Sequence, residues 1–313
     1  MKRKLLSMAM AACMAFSMAA CGGSSNSADT GADQTAAESE ETAEADAEPA
    51  EEETTDAAAE DSEEATDETA ADVAETEGDS DVAYIQDKGT LVVGITDFEP
   101  MDYKDDNGDW IGFDADVAKK VAEDLGVDVE FVEIDWVNKI LELENQSIDC
   151  VWNGMTLTPE VTNAMECSNA YCNNAQVVVM KSEEADNYPD AESMKELSFA
   201  VEAGSAGETA AEENGFNYTS LTQQSDTLME ISAGTSDASI IDLLMAGAMI
   251  GEGTSYPDLT HTLELTTEEY GVGCRKGSDL AAYINDELAK FYEDGSLEEI
   301  ATTYGVQDAL IEQ

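Results

Sequence analysis

Residues 152–161 read WNGMTLTPEV. An apolar stretch, IDCVW, runs into Asn153, Gly154 and Thr156, and TPEV then reads as a helix start. Polar groups at a strand tip facing a helix start are well placed to hold a small molecule. The stretch itself carries no positive charge. An anion held there would need its counter-charge from elsewhere. The nearest carboxylate for proton-transfer chemistry is Glu160, but no partner pattern accompanies it, and the helix dipole alone explains an acid at that position. His261 is the only histidine and no CxxC occurs, so a metal site is not expected, and no cofactor is expected either.

The elements that must position these groups alternate in type. TLVVGIT (90–96) is a nearly continuous apolar run, as a buried parallel strand requires. GFDADVAKKVAEDLG follows as a helix, with Asp114 as its expected N-cap, Val117, Val121 and Leu125 four residues apart, and Gly126 as its end. VDVEFVEI, a helix from about Trp136 to Glu144, and the strand SIDCVW complete a β-α-β-α-β run, which implies a parallel sheet covered by helices. The alternation then restarts. AQVVVMK, LSFAVEA and SDASIID read as strands, with helices after Gly204, Ser225 and Asp242, and VGCRKG gives one more strand. Near the C-terminus Leu280, Tyr283, Ile284, Leu288 and Phe291 form a helical stripe. Ser296 with Glu299 reads as a capping box, and Gly305 ends the last helix. Two α/β units imply a cleft between lobes, where ligands commonly sit.

The N-terminus has a different character. Lys2, Arg3 and Lys4 precede an apolar run and the ending MAAC, which resembles a lipoprotein cleavage box with Met18 where Leu is usual. Residues 1–20 are therefore expected to be a signal peptide and Cys21 a lipidated N-terminus. From Gly22 to Asp81 there are 23 acidic residues and no lysine or arginine. Such a segment cannot bury enough apolar surface to fold, so residues 21–82 are expected to form a disordered acidic tether. The chain then touches the membrane only through its lipid. The whole sequence has a net charge of −58, which argues against nucleic acid and anionic lipid as partners. Cys150, Cys167, Cys172 and Cys274 allow three pairings that sequence cannot choose between, and buried free thiols are the preferred reading.

The segments GTLVVGITDFEPMDY, NGDWIGFD, VEFVEIDW, SIDCVWNGMTLTPE, CSNAYCNNAQVVV, VEAGSAGE, GTSDASIID and YGVGCRKGSDL occur in an order and spacing that resemble an extracellular solute-binding protein of a polar amino acid ABC transporter. The resemblance implies an α/β, type II periplasmic-binding-protein-like fold, with two parallel-sheet lobes joined by two crossing strands. It places the crossings near Cys172–Gln176 and Glu268–Tyr270. Lobe 1 is then residues 83–172 plus 270–313, and lobe 2 is 173–269. It implies a monomer without enzymatic activity that holds a small polar solute, an amino acid, and works with an ABC transporter permease.

The resemblance also assigns roles. Asp242 matches the acid that pairs with the ligand's α-ammonium. Phe98 and Trp136 match aromatics that pack on the ligand, and Asp97 adjoins the first of them. Asn153, Gly154 and Thr156 match hydroxyl and backbone groups of the first lobe. Ser205 matches such a group in the second, with Ala206 standing where another hydroxyl is frequent. The large departure is Val161, which occupies the position of the arginine that holds the carboxylate. Arg275 is the only arginine after the signal segment, and its GCRKG context fits a return strand away from the site. Lys139, three residues after Trp136 and on the same helical face, is the candidate replacement. A second reading makes Asp97, Glu99 and Asp242, beside Phe98, Trp136 and Trp152, an acidic aromatic site for an organic cation without a carboxylate. A third makes the chain an enzyme of the same fold, such as a dehydratase. The amino-acid reading retains most of the surrounding pattern and is preferred.

Overall fold

The computed structural model describes residues 80–313, and the signal segment, Cys21 and nearly all of the acidic tether lie outside the described residues. Two five-stranded sheets organise the chain. The first runs in the order Asp128–Glu133, Thr90–Ile95, Cys150–Val151, Gly273–Cys274, Glu166–Cys167. The second runs Asn217–Leu221, Ser198–Glu202, Ala238–Asp242, Gln176–Lys181, Leu259–Glu264. Between them the chain crosses twice, and the crossing strands Cys172–Asn174 and Glu268–Tyr270 pair antiparallel, Glu268 opposite Asn174.

The sequence leads one to expect parallel sheets. The first three strands of each sheet are parallel, but the other two run antiparallel to their neighbours. The crossings explain the difference. Gln176–Lys181 and Gly273–Cys274 follow the crossing strands almost directly. They enter their lobes moving away from the crossing, whereas strands of a β-α-β unit end at the cleft. Two further strands, Asn217–Leu221 and Leu259–Glu264, escape the sequence reading. Both lie on sheet edges and are half exposed, so they lack a continuous apolar run.

Local chemistry accounts for most of the elements. Leu91, Val93 and Ile95 are fully buried in the first strand. Helix Phe113–Leu125 buries Val117, Val121 and Leu125 and stops at Gly126, which takes the left-handed conformation (φ 79°). The C-terminal helices Leu280–Glu293 and Ser296–Tyr304 bury the expected stripe, Tyr283 only partly, and end at Gly305 (φ 76°). The expected helix from Trp136 is a 3-10 turn, Trp136–Asn138, continued by α-helix Lys139–Glu144. All four described cysteines are free thiols. No helix among the described residues is long and apolar enough to cross a membrane.

Two expected caps are absent. Ser296 is the first helical residue after Gly295, and its N–H donates to Asp294 Oδ1 at 2.8 Å instead of closing a capping box. The other helix is preceded by Gly112, not capped by Asp114. A Cβ at Gly112 would lie 2.1 Å from the Met101 carbonyl oxygen. Asp114 is fully buried in the first turn. Its Oδ2 accepts the Gly154 N–H at 2.6 Å and the Tyr171 hydroxyl at 2.7 Å. Burial pushes its carboxyl up to about 7, despite these two donors. Folded protein therefore binds this proton more tightly than unfolded protein. The associated stability is full below about pH 4 and is lost as pH rises through about 7. Asp114→Ala should cost about 2–4 kcal/mol in urea melts, because two buried donors lose their acceptor. Asp114→Asn should cost less and flatten the decline in stability between about pH 4 and pH 7.

Candidate functional site

A cavity of about 240 Å³ lies where the C-terminal ends of both sheets' parallel strands meet. Phe98, Trp136, Lys139, Asn153, Gly154, Thr156, Ser205, Ala206 and Asp242 all line it. Asp97 does not. Side chains alternate at the end of strand Thr90–Ile95, so Thr96 and Phe98 face inward and Asp97 is exposed. Glu99 and Trp152 are likewise off the wall, Trp152 being buried behind it.

The polar groups of the 152–161 stretch sit at the cavity but bind the protein itself. Asn153 Oδ1 accepts the Thr96 N–H at 2.8 Å, and its Nδ2 donates to Thr96 Oγ1 at 2.8 Å. The Gly154 N–H is held by Asp114. The Thr156 hydroxyl donates to Glu268 Oε1 at 3.0 Å. These residues shape the wall. Gly154 has φ 55°, and a Cβ there would lie 2.6 Å from the Phe98 ring. The glycine thus lets Phe98 settle edge-on against Tyr270, with ring centroids 6.3 Å apart.

Lys139 is the only basic side chain on the cavity wall among the described residues. Its Nζ stands 4.8 Å over the Trp136 ring and donates to Gly204 O at 2.9 Å and Trp136 O at 3.4 Å. An ammonium has three donors, so one remains for a ligand. Burial lowers its pKa, against the opposing pull of Glu160, Glu202 and Glu208. The bond to Gly204 joins the two lobes. Val161 is nearly buried on the same wall, and Arg275 is engaged elsewhere, with Asp81 and Asp149. Ser205 caps helix Ala206–Asn214 by accepting the Glu208 N–H at 3.1 Å. The first-turn N–H groups at Ala206 lie at the cavity without intrahelical partners.

Asp242 ends the strand Ala238–Asp242 and makes no side-chain cap to the helix that follows. Its carboxylate accepts from Asn174 Nδ2 at 2.5 Å, Tyr270 OH at 2.5 Å and Gln224 Nε2 at 2.7 Å. Burial and the charge of Glu268 push it up to about 7, although hydrogen bonding from Tyr270, Gln224 and Gln176 pulls the other way. Sequence reasoning misses Glu202. It is 4% exposed on the cavity wall, and burial followed by the charge of Asp242 pushes it up to about 8. Gln224 ties the two acids together. Its N–H donates to Glu202 at 3.2 Å, its Nε2 donates to Asp242, and its Oε1 accepts the Asp242 N–H at 3.2 Å. The signal was present in LSFAVEA, an acid closing an apolar strand just as Asp242 closes SDASIID.

Residues 91–307 match the bacterial extracellular solute-binding proteins, family 3. The chain is similar to the arginine-binding extracellular protein ArtP of Bacillus subtilis, 28% identical over 222 residues, 68% of this chain and 85% of that protein. It is similar to the L-cystine-binding protein TcyJ of Escherichia coli, 24% identical over 221 residues, 69% of this chain and 83% of that protein. Its fold is similar to the crystal structure of the ancestral amino acid-binding protein AncCDT-1, a precursor of cyclohexadienyl dehydratase. The TM-score is 0.66 at 30% identity, covering 72% of this chain and 99% of that one.

The two lobes close at Gly204, where φ is 72° and a Cβ would lie 2.9 Å from Val137 Cα. Gly204→Ala should therefore act twice. The left-handed conformation should cost about 1–2 kcal/mol of stability whether the lobes are open or closed, read in a thermal melt. Val137 belongs to the opposite lobe, so parting the lobes should remove this contact. Small-angle scattering should show that ligand compacts the variant less than the wild type, and an equal compaction would mean that Val137 yields without cost.

Proposed function

The chain belongs to the bacterial extracellular solute-binding proteins of family 3, and from that premise we propose that it captures a small polar amino acid between its lobes and delivers it to an ABC importer. The observation that carries this reading is the buried carboxylate of Asp242, facing a compact cavity where Lys139 is the only basic side chain among the described residues. Asp242 receives the α-ammonium. Lys139 and the helix start at Ser205 receive the carboxylate in place of the arginine that Val161 replaces. Phe98 and Trp136 flank the hydrocarbon part. Relatives named for arginine and for cystine support an amino-acid ligand. They are also named as binding proteins, which supports binding without chemistry. Glu160, the nearest acid on the TPEV turn, is exposed at the rim. In this reading residues 83–172 with 270–313 form one lobe and 173–269 the other. Cys21 carries the lipid, the acidic segment is the tether, and the protein works as a monomer outside the cytoplasm.

Val161 favours one competing ligand, an organic cation with no carboxylate. A thermal-shift screen of amino acids, their amides and simple amines separates the two. Asp242→Asn keeps the carboxylate's shape and loses its charge. It should weaken any ammonium ligand by about 2–4 kcal/mol in calorimetry, and unchanged affinity would leave Asp242 a purely structural group.

Lys139→Met should weaken an amino acid by about 1.5–3 kcal/mol and its amide much less. The amide controls for loss of the bond to Gly204. Should the ligand be a cation without carboxylate, the same substitution should tighten binding, because a like charge leaves the site.

Cys21→Ala should release the protein from the membrane fraction into the medium. Unchanged retention in detergent partition would reject the lipid anchor.

A further inference from the structure

We infer that the solute carries a second positive charge and that Glu202 is the residue that receives it. This rests on the amino-acid reading of the cleft and narrows it to a class. Three charged side chains line the cavity interior: Lys139 from the first lobe, and Asp242 and Glu202 from the second. They differ in how far the protein itself satisfies them. Asp242 accepts three side-chain hydrogen bonds. Lys139 donates to two carbonyls. Glu202 accepts one hydrogen bond, from the Gln224 backbone, and its other oxygen has no partner among the described residues. No lysine or arginine among them forms an ion pair with it.

A carboxylate in that position must either bind a proton or find a cation, because a buried unpaired charge is costly. Lys139 is on the wall but turns its ammonium to Gly204 and Trp136 instead. The fixed position of Gln224 between the two acids means that they stand on one wall, each repelling the other's charge. A neutral-side-chain amino acid supplies one ammonium, for Asp242, and leaves Glu202 protonated and unused. A solute with two cationic groups and one carboxylate matches all three charges. The cavity, about 240 Å³, sits below the usual range of ligand pockets, roughly 300–1,000 Å³, and suits a compact molecule of this kind. The shared chemistry is a pair of cationic nitrogens, which an α-amino acid with a basic side chain or a simple diamine could supply.

Calorimetry on the chain without its signal segment distinguishes these sources. The probes are L-lysine, L-arginine, cadaverine, L-norleucine and L-glutamine. Wild type should bind L-lysine or L-arginine at least about tenfold more tightly than L-norleucine and L-glutamine. Binding near neutral pH should release protons, seen as heats that differ between buffers of unlike ionisation enthalpy, because the incoming cations displace the protons that burial favours on Glu202 and Asp242. Glu202→Gln keeps an acceptor for the Gln224 N–H. It should lose about tenfold or more for the cationic probes, lose nothing for the neutral ones, and release fewer protons. Tight binding of cadaverine would uphold the two-cation pairing and remove the carboxylate role of Lys139. Neutral amino acids binding as tightly as basic ones to the wild type would overturn the role of Glu202 while leaving the amino-acid reading intact. So would equal losses for all probes in the variant. Silence from all five probes would overturn both readings. A larger proton release on binding L-lysine than on binding L-norleucine, both in the wild type, tests the inference even if the variant folds poorly, and equal release would overturn it.

Discussion

The constraint on which the site depends is a carboxylate withdrawn from water at the point where the chain crosses between lobes. Asp242 cannot keep its charge there unless donors replace the solvent. One comes from each crossing strand, Asn174 and Tyr270, and one from Gln224. The same crossing carries Glu268, which accepts from Asn174, Gln176 and Thr156. The hinge and the ligand wall are thus one hydrogen-bonded unit. In the proposed reading, a cation at Asp242 favours the charged form that those donors hold and couples the ligand to the crossing strands.

Beneath the crossing lies an aromatic layer that repeats this device on the first lobe. Tyr171 packs against Tyr270, Trp152 and Phe113, with centroids 6.0–6.5 Å apart. The Tyr270 hydroxyl goes to Asp242 and the Tyr171 hydroxyl to Asp114, while the Tyr171 N–H donates to the Tyr270 carbonyl. Asp114 in turn fixes the Gly154 loop on which Phe98 rests. Each lobe therefore presents its cavity wall from a buried acid held by a tyrosine. Such polar groups contribute little net stability beside an apolar core, but any one of them left unpaired is expensive, which makes the arrangement specific.

Much of this was legible in the sequence where a single run of residues decides the outcome. Continuous apolar stretches gave the central strands, and the helix stops at Gly126 and Gly305 needed only a glycine after an apolar stripe. The residues drawn from Phe98, Trp136, Lys139 and Asp242 do meet at one cavity. What could not be read was decided by partners far along the chain. Asp114 looks like a cap because its spacing is right, but Gly154 and Tyr171, 40 and 57 residues away, claim its carboxylate. Asn153 and Thr156 look available to a ligand until Thr96 and Glu268 are seen to occupy them. Asp97 fails for a local reason, the alternation of faces at a strand end, which residue type alone conceals.

The distribution of charge between lobes has a consequence for closure itself. The base belongs to the first lobe, and both acids belong to the second. With the cleft open, water solvates each pole, and neither attracts the other strongly in a high dielectric. Closing removes that water. Lys139 is compensated by the Gly204 carbonyl, but a carbonyl dipole is a weaker partner than a carboxylate, and Glu202 gains one backbone hydrogen bond and the longer-range pull of Lys139. Closure without a ligand therefore leaves an unused ammonium donor on one wall and, on the other, a Glu202 carboxyl that must take up a proton. A molecule bearing opposite charges at its two ends satisfies both at once, while one bearing a single charge satisfies a single lobe and gives the other no reason to follow. In the proposed reading, the separation of the poles links recognition to closure through desolvation rather than through the number of contacts made.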